Sequence, residues 1–328
     1  MIITRSPLRI TLAGGGTDLE SFYSKYTSTF ISAAIDSYVY VSINTPFLNK
    51  YILKYSINEV VKNINDIKHD LFREILKKFA KKSDFIEIST TADVPYGTGL
   101  GSSGAFGNCL IKAITTHNRK KLNFNEVAEN TFQIETHNLK EIAGKQDPYI
   151  SAFGGLSKFQ INKNGKVKSS RLNLPKNTLD KLSDNLMLFF TGYSRSSSKI
   201  LSSQENKTKM KNTNLTKNLM QTQREVNKIE NFLIKGKLDD YGNLLREHWI
   251  RKKERSNLMS NNYIDKIYDF ALKNGAIGGK IVGAGGGGFL LFYSNHPEKL
   301  RHAMKKQKLN ELRFSFDFEG TKNLFVKY

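Results

Sequence analysis

The sequence predicts an α+β protein of two domains, residues 1–182 and 183–328, on three observations. At 328 residues the chain exceeds the usual size of one domain and can bury a sizeable core. Its first half holds a strand, a glycine-rich turn and an amphipathic helix in direct succession. Its second half runs strand, helices, strand, strand, helix, strand, which is the ferredoxin-like order β-α-β-β-α-β.

Residues 8–12, 29–35, 38–44 and 50–57 read as early strands. Residues 70–82 read as a helix with Leu71, Ile75, Leu76 and Phe79 on one side. Residues 84–90 alternate like a strand and lead into Pro95-Tyr96-Gly97-Thr98-Gly99-Leu100-Gly101-Ser102-Ser103-Gly104-Ala105. Beyond that turn, Ala105, Phe106, Cys109, Leu110, Ala113 and Ile114 share one helical face. A further helix over 126–142 carries Val127, Phe132, Ile134, Leu139 and Ile142. Gly154-Gly155 and residues 162–165 signal turns around short strands, the latter a hairpin.

The composition changes after Ser183. Residues 185–190 read as a strand, and 202–214 are polar and lysine-rich, suited to a lid or a mobile loop. Helical spacing returns with Leu215, Leu219, Val226, Ile229 and Leu233 and continues through Ile264, Ile267, Tyr268, Ala271 and Leu272. Asn274-Gly275 ends it with a left-handed cap. Strands at 276–282 and 289–293, a helix near 298–307, and the alternating Phe314, Phe316 and Phe318 complete the chain.

Hydrophobic residues make up 39% of the chain, and no run reaches the roughly 18 apolar residues of a membrane span. The start, Met1-Ile2-Ile3-Thr4-Arg5, lacks the basic segment and apolar core of a signal peptide. A single cysteine rules out an internal disulfide and fits a reducing cytoplasm, the expected location. The net charge of +21 would suit nucleic acid or anionic small molecules. No helix-turn-helix, zinc-finger or RNA-binding signature accompanies it, so no nucleic-acid or membrane partner is expected. The charge then reflects solvated lysine-rich faces, whose field would still draw in anionic substrates.

The glycine turn carries the clearest chemistry. Strand, glycine loop and helix together present unpaired N–H groups and a positive dipole end to an anion. The four glycines let backbone approach phosphate oxygens without a Cβ in the way. The turn is not a P-loop, because no Lys-Ser/Thr follows its last glycine. Ser102 and Ser103 stand instead where an N-cap and a magnesium ligand would be wanted, and they equally suit an ordinary capped loop.

Two further segments accompany it: Ser6-Pro7-Leu8-Arg9-Ile10-Thr11-Leu12-Ala13-Gly14-Gly15-Gly16-Thr17-Asp18, and Lys280-Ile281-Val282-Gly283-Ala284-Gly285-Gly286-Gly287-Gly288-Phe289. In this order and spacing the three resemble the signature motifs of the GHMP kinases, which include galactokinase, homoserine kinase and mevalonate kinase. Ala13-Gly14-Gly15-Gly16-Thr17-Asp18 with Gly144-Lys145-Gln146-Asp147-Pro148-Tyr149 most resembles the D-glycero-D-manno-heptose 7-phosphate kinases. The resemblance implies an N-terminal ATP-binding domain with a ribosomal-protein-like fold beside a ferredoxin-like C-terminal domain. It also implies ATP and Mg²⁺ as cofactors and a sugar phosphate as substrate, with a homodimer left open. The implied reaction is phosphorylation of the anomeric C1 hydroxyl to the 1,7-bisphosphate, for nucleotide-activated heptose and surface polysaccharide. A C1 kinase of the fucose or galactose type is the enzymatic alternative, and a non-catalytic GHMP-fold binding module the alternative of another class.

The same resemblance assigns roles by position. Pro95, Gly97, Gly99, Leu100, Gly101, Ser102, Ser103 and Gly104 would hold the nucleotide, and Ser103 and Glu135 the magnesium. Asp147 would accept or orient the hydroxyl proton, and Arg9 would keep it ionised and stabilise a developing alkoxide. Thr17 and Asp18 would bind sugar hydroxyls. Gly15 and Gly16 stand where galactokinases carry Glu-His, which leaves room for a longer, phosphorylated acceptor. Arg195, with Lys199 as a weaker choice, would hold that phosphate. None of the six histidines is given a catalytic role. Plain alternatives stand beside several of these: an Asp-Pro turn for Asp147, a strand-surface arginine for Arg9, a surface helix position for Glu135, and for Arg195 any other of the chain's 51 lysines and arginines.

Overall fold

The structure, a computed structural model, describes residues 1–81, 85–193, 197–209 and 213–328, with the side chains of 197–199, 207 and 209 outside the described set. The chain begins with β1 (Ile2–Ala13), a short helix α1 (Glu20–Tyr23) and β2 (Ser28–Asn44). β1 and β2 pair antiparallel along nearly their full length. The two strands expected over 29–44 are therefore one. Its interruption is a bulge: Pro7 pairs with Tyr38 and Leu8 with Ile35, leaving Asp36 and Ser37 as extra residues. Pro7 has no N–H to give the ladder, so the register can slip there at little cost.

The strand expected over 50–57 is instead a hairpin, β3 (Tyr51–Lys54) and β4 (Asn58–Val61). Then follow α2 (Asp70–Phe79), β5 (Glu87–Ala92) and α3 (Ser102–His117). α4 (Phe124–Gln133) starts in a reciprocal capping box between Asn123 and Glu126. α5 (Gln146–Phe153), β6 (Leu156–Ile161), β7 (Val167–Arg171) and α6 (Lys176–Asn185) complete the first half. The expected divide at residue 182 falls within α6. The second half contains β8 (Leu186–Phe190), α7 (Ser197–Lys209), α8 (Thr213–Ile234), α9 (Leu238–Glu254) and α10 (Asn262–Lys273). It ends with β9 (Ala276–Ile281), β10 (Phe289–Ser294), α11 (Pro297–Lys306), β11 (Asn310–Leu312) and β12 (Lys322–Val326).

The first sheet runs β12-β1-β2-β5-β3-β4, with β6 and β7 continuing from the early part of β2. The second runs β11-β8-β10-β9, wholly antiparallel. Numbered within the second half, that is strand order 4-1-3-2, the ferredoxin-like arrangement expected from the element order. The last strand leaves this sheet: β12 pairs with β1, so residues 322–326 close the first sheet. Phe314, Phe316 and Phe318 form no strand, because Asp317 accepts from the N–H groups of Glu319 and Gly320 and bends the chain.

One core joins the two sheets. Leu8, Ile10 and Leu12 of β1, Leu188 of β8, Leu291 of β10 and Val226 and Ile229 of α8 belong to a single buried cluster. α2 and α3 fill the other face of the first sheet, and Trp249, Tyr268 and Phe292 build the far face of the second. Cys109 is fully buried, its thiol donating to Thr4 O at 3.2 Å and pushed up by burial, as its packing position predicts. Among the described residues no helix is long and apolar enough to cross a membrane. The consequence for function is a cleft between the two sheets, walled by the glycine turns of both.

Candidate active site

A cleft of about 350 Å³ opens where the three motifs meet. Its roof is the glycine turn before α3. Gly97, Gly99 and Gly101 have φ of +79°, +86° and +77°, conformations that side chains resist. A Cβ on Gly99 would lie 2.7 Å from Val282 O, and one on Gly283 2.6 Å from Gly99 O, so the first and third glycine turns interlock backbone to backbone. α3 is capped by left-handed Gly101, with no side-chain cap bond, and Ser102 is its first helical residue. The N-cap position expected for Ser102 therefore belongs to Gly101. Gly97, Gly99, Gly101, Ser102, Ser103 and Gly104 all line the cleft. Leu100 is fully buried in the core and serves through its carbonyl, which accepts from Arg9 N at 2.9 Å. Pro95 stands off the cleft wall, its carbonyl accepting from the Thr98 hydroxyl.

Arg9 and Asp147 meet at the centre. Arg9 Nε donates to Asp147 Oδ1 at 2.7 Å, Nη2 lies at the same distance, and Nη1 donates to Gly99 O at 2.6 Å. β1 supplies the buried arginine; the first turn of α5 supplies the carboxylate, whose side chain keeps 35% exposure toward the cleft. The fork thus fixes Asp147 and the phosphate loop in one frame.

Ser103 and Glu135 form the second pair, Ser103 Oγ donating to Glu135 Oε1. The helix expected over 126–142 does not run through: α4 gives way to a π-helical turn, Ile134–Asn138, and the chain leaves helix by Leu139. That widened turn rotates Glu135 off the surface to 3% exposure. Burial pushes its carboxyl up to about 8, opposed by the Ser103 bond and helped by Asp147 and Glu141. A buried carboxyl beside a hydroxyl is a donor set of hard oxygens, suited to Mg²⁺. Among the described residues no group of three or more His, Cys, Asp or Glu could hold a metal unaided, so nucleotide oxygens and water would complete the shell.

Asp18 closes the acceptor end. Its carboxylate accepts from Gly16 N at 3.2 Å and Gln146 N at 3.1 Å, and burial followed by Asp147 raises its pKa. Gly15 and Gly16 line the cleft beside it. Thr17 does not: it is fully buried, donating to Gly14 O at 2.8 Å and meeting Ser28 and Gln223. Its hydroxyl holds the loop, so the contact to sugar expected of Thr17 has no path. α7 lies against this loop, with Gln204 donating to Gly16 O at 2.9 Å. The lysine-rich stretch is thus helical through Lys209 rather than a loop. Arg195 lies outside the described residues, as does the side chain of Lys199.

The second half contributes four basic groups that the motifs did not single out for a role. His248, Lys252 and Arg255 come from α9 and its end, and Lys280 from β9; all line the cleft and none is more than 8% exposed. Lys252 Nζ donates to Ile281 O and Gly283 O, and Arg255 to Gly15 O, Asn218 Oδ1 and Thr222 Oγ1. Burial, with Arg255 and Arg9 adding to it, lowers Lys280 to about 7; burial, with Arg251 adding and Glu225 opposing, lowers Arg255 to about 10. An i, i+4 spacing of His248 and Lys252 on a helix was the available signal, but nothing in the sequence alone turned that face toward the glycine motifs.

Comparison with known proteins agrees with this geometry. Residues 68–155 match the GHMP kinases N terminal domain and residues 229–310 the GHMP kinases C terminal domain. The chain is 30% identical over 98% of each sequence to a D-glycero-alpha-D-manno-heptose 7-phosphate kinase of Campylobacter jejuni. A D-glycero-D-manno-heptose 1-phosphate kinase of Bacteroides thetaiotaomicron superposes over 100% of both chains with a TM-score of 0.83 at 22% identity. A phosphomevalonate kinase of Streptococcus pneumoniae, in complex with phosphomevalonate and AMPPNP, gives 0.76 at 14% identity over 96% of this chain and 100% of its own. The two lower identities speak to fold alone. With its N-terminal and C-terminal domains both matched and a curated relative spanning its length, the chain belongs to the GHMP kinases and is a phosphotransferase.

Proposed function

We propose that this kinase, in the cytoplasm, transfers the γ-phosphoryl group of ATP to the anomeric C1 hydroxyl of D-glycero-D-manno-heptose 7-phosphate. The product is the 1,7-bisphosphate, a precursor of nucleotide-activated heptose for surface polysaccharide. The observation that carries the reading is the Arg9–Asp147 fork at 2.7 Å, set against the phosphate loop through Arg9 to Gly99 O. Phosphoryl transfer asks mainly for positioning and charge neutralisation. Gly97 to Ser103 offer N–H groups at the start of α3 to the nucleotide phosphates. Ser103 and Glu135 would hold Mg²⁺, which would neutralise phosphate charge. Asp147 orients the attacking hydroxyl and accepts its proton, while the Arg9 guanidinium, 2.7 Å away, fixes the carboxylate in place. Asp18, fixed by two backbone N–H groups, recognises a sugar hydroxyl.

The relatives' names differ on where the acceptor already carries phosphate, 7-phosphate in one and 1-phosphate in the other. The relative of higher identity, 30%, and the absence of side chains at Gly15 and Gly16 favour the 7-phosphate. The test is ATP consumption with Mg²⁺ on heptose 7-phosphate, galactose, fucose and mevalonate. Turnover on the heptose phosphate alone supports the reading; turnover on an unphosphorylated sugar instead overturns the acceptor while keeping the chemistry. No turnover on any of them, with tight binding of some other ligand, would favour a non-catalytic module.

A further inference from the structure

The cleft wall gathers buried basic side chains that the transfer chemistry does not use. Lys280 is 3% exposed, lines the cleft, and among the described residues its ammonium has no hydrogen-bond or carboxylate partner. A buried ammonium without a partner is costly, so its retention needs a compensating ligand. Around it stand Lys252 and Arg255, and Arg9 adds to the positive field. His248 completes the wall, with Glu225 behind it at 4.0 Å. These groups are held in place: Lys252 is tied to the third glycine turn and Arg255 to Gly15 O at 3.0 Å.

We propose that Lys280, Arg255 and Lys252 form the subsite for the acceptor's own phosphate, a monoester dianion, on the second-domain wall of the cleft. This rests on the reading of the acceptor as a sugar phosphate, and it moves the tail-binding role from Arg195 to these residues. Two phosphate sources could meet such a cluster, the acceptor and the nucleotide. Position favours the acceptor. Arg255 abuts the Gly15–Gly16 loop so closely that a Cβ on Gly16 would lie 2.7 Å from its Nη1. The nucleotide phosphates have their own cradle in Gly97 to Gly104. The missing side chains at Gly15 and Gly16 thus do more than leave space: the glycine at 16 admits the Arg255 guanidinium to the acceptor loop.

Calorimetric titration of the wild-type enzyme and Lys280→Met with heptose 7-phosphate, unphosphorylated heptose and a non-hydrolysable ATP analogue tests this. The wild type should prefer the phosphorylated sugar, and Lys280→Met should weaken that binding at least about tenfold. The other two ligands should change no more than about twofold. A Lys280→Met variant that keeps the preference overturns the subsite while leaving the proposed function intact. A loss falling on the ATP analogue overturns it as well, assigning the cluster to the transferred phosphate. A wild type without preference for the phosphorylated sugar refutes the acceptor reading itself and the subsite with it. Lys280→Arg, which restores a cation, should recover most of the preference, and a melting curve for each variant excludes misfolding as the cause.

Discussion

Removing the Lys280 ammonium should stabilise the protein. Burial, aided by Arg255 and Arg9, lowers this amine from 10.5 to about 7 on folding. A group that holds its proton less tightly when folded costs stability wherever the unfolded chain is protonated. That cost is full below pH 7, falls as pH rises through the folded value, and vanishes above the unfolded 10.5. At about 1.4 kcal/mol per pH unit of displacement the upper bound is on the order of 5 kcal/mol. Water entering the cleft reduces it, so Lys280→Met, similar in length and free of charge, should gain roughly 2–4 kcal/mol at pH 6. Urea denaturation at pH 6, 7.5 and 9 measures the gain, which should shrink toward zero as pH rises past the folded value toward 10.5, by at most about 1.4 kcal/mol per pH unit. A variant no more stable than wild type at pH 6, or a gain independent of pH, would refute the claim that Lys280 is an uncompensated buried cation. Stability gained together with phosphate recognition lost would identify the residue as one kept for binding.

Other consequences are equally direct. Asp147→Asn should lower kcat by about 10²–10⁴ while leaving the KM for ATP within about threefold, since the carboxylate serves the acceptor; steady-state kinetics decides, and an unchanged kcat would remove Asp147 from the chemistry. Because Glu135 is raised to about 8, Mg²⁺ must displace a proton below that pH. Apparent Mg²⁺ affinity in the presence of ATP should climb up to about tenfold per pH unit to pH 8 and then level, and Glu135→Gln should abolish the dependence. Gly99→Ala forces a side chain onto φ +86° with its Cβ 2.7 Å from Val282 O. A loss of about 1–3 kcal/mol in thermal melts is expected, and a neutral result would mean the two glycine turns are free to part.

The parts of the site legible in the sequence are those fixed by local geometry. Glycines at 97, 99 and 101 announce left-handed backbone, and the helix after them follows from apolar spacing. Arg9, Asp147, Glu135 and Ser103 were reached through resemblance, and the structure brings all four to one cleft. The errors have tertiary causes. A bulge opposite Pro7 merges two strands, and a π-turn at Ile134–Asn138 breaks a helix whose apolar pattern continues past it. Thr17 sits beside Asp18 in sequence, yet backbone geometry turns one into the core and the other into the cleft. The basic wall was hidden for a different reason. In a chain with 51 lysines and arginines, Lys252, Arg255 and Lys280 look like solvated surface until α9 packs on β9 and buries them.

The central claim, transfer from ATP to the anomeric hydroxyl of a phosphorylated heptose, is tested most directly by phosphorus NMR of the reaction itself. With heptose 7-phosphate, ATP and Mg²⁺, the account predicts ADP and a new phosphate resonance coupled to the anomeric proton, both formed at least about a hundredfold more slowly with Asp147→Asn. ADP accompanied only by inorganic phosphate, or a new phosphate on any carbon other than C1, would contradict it.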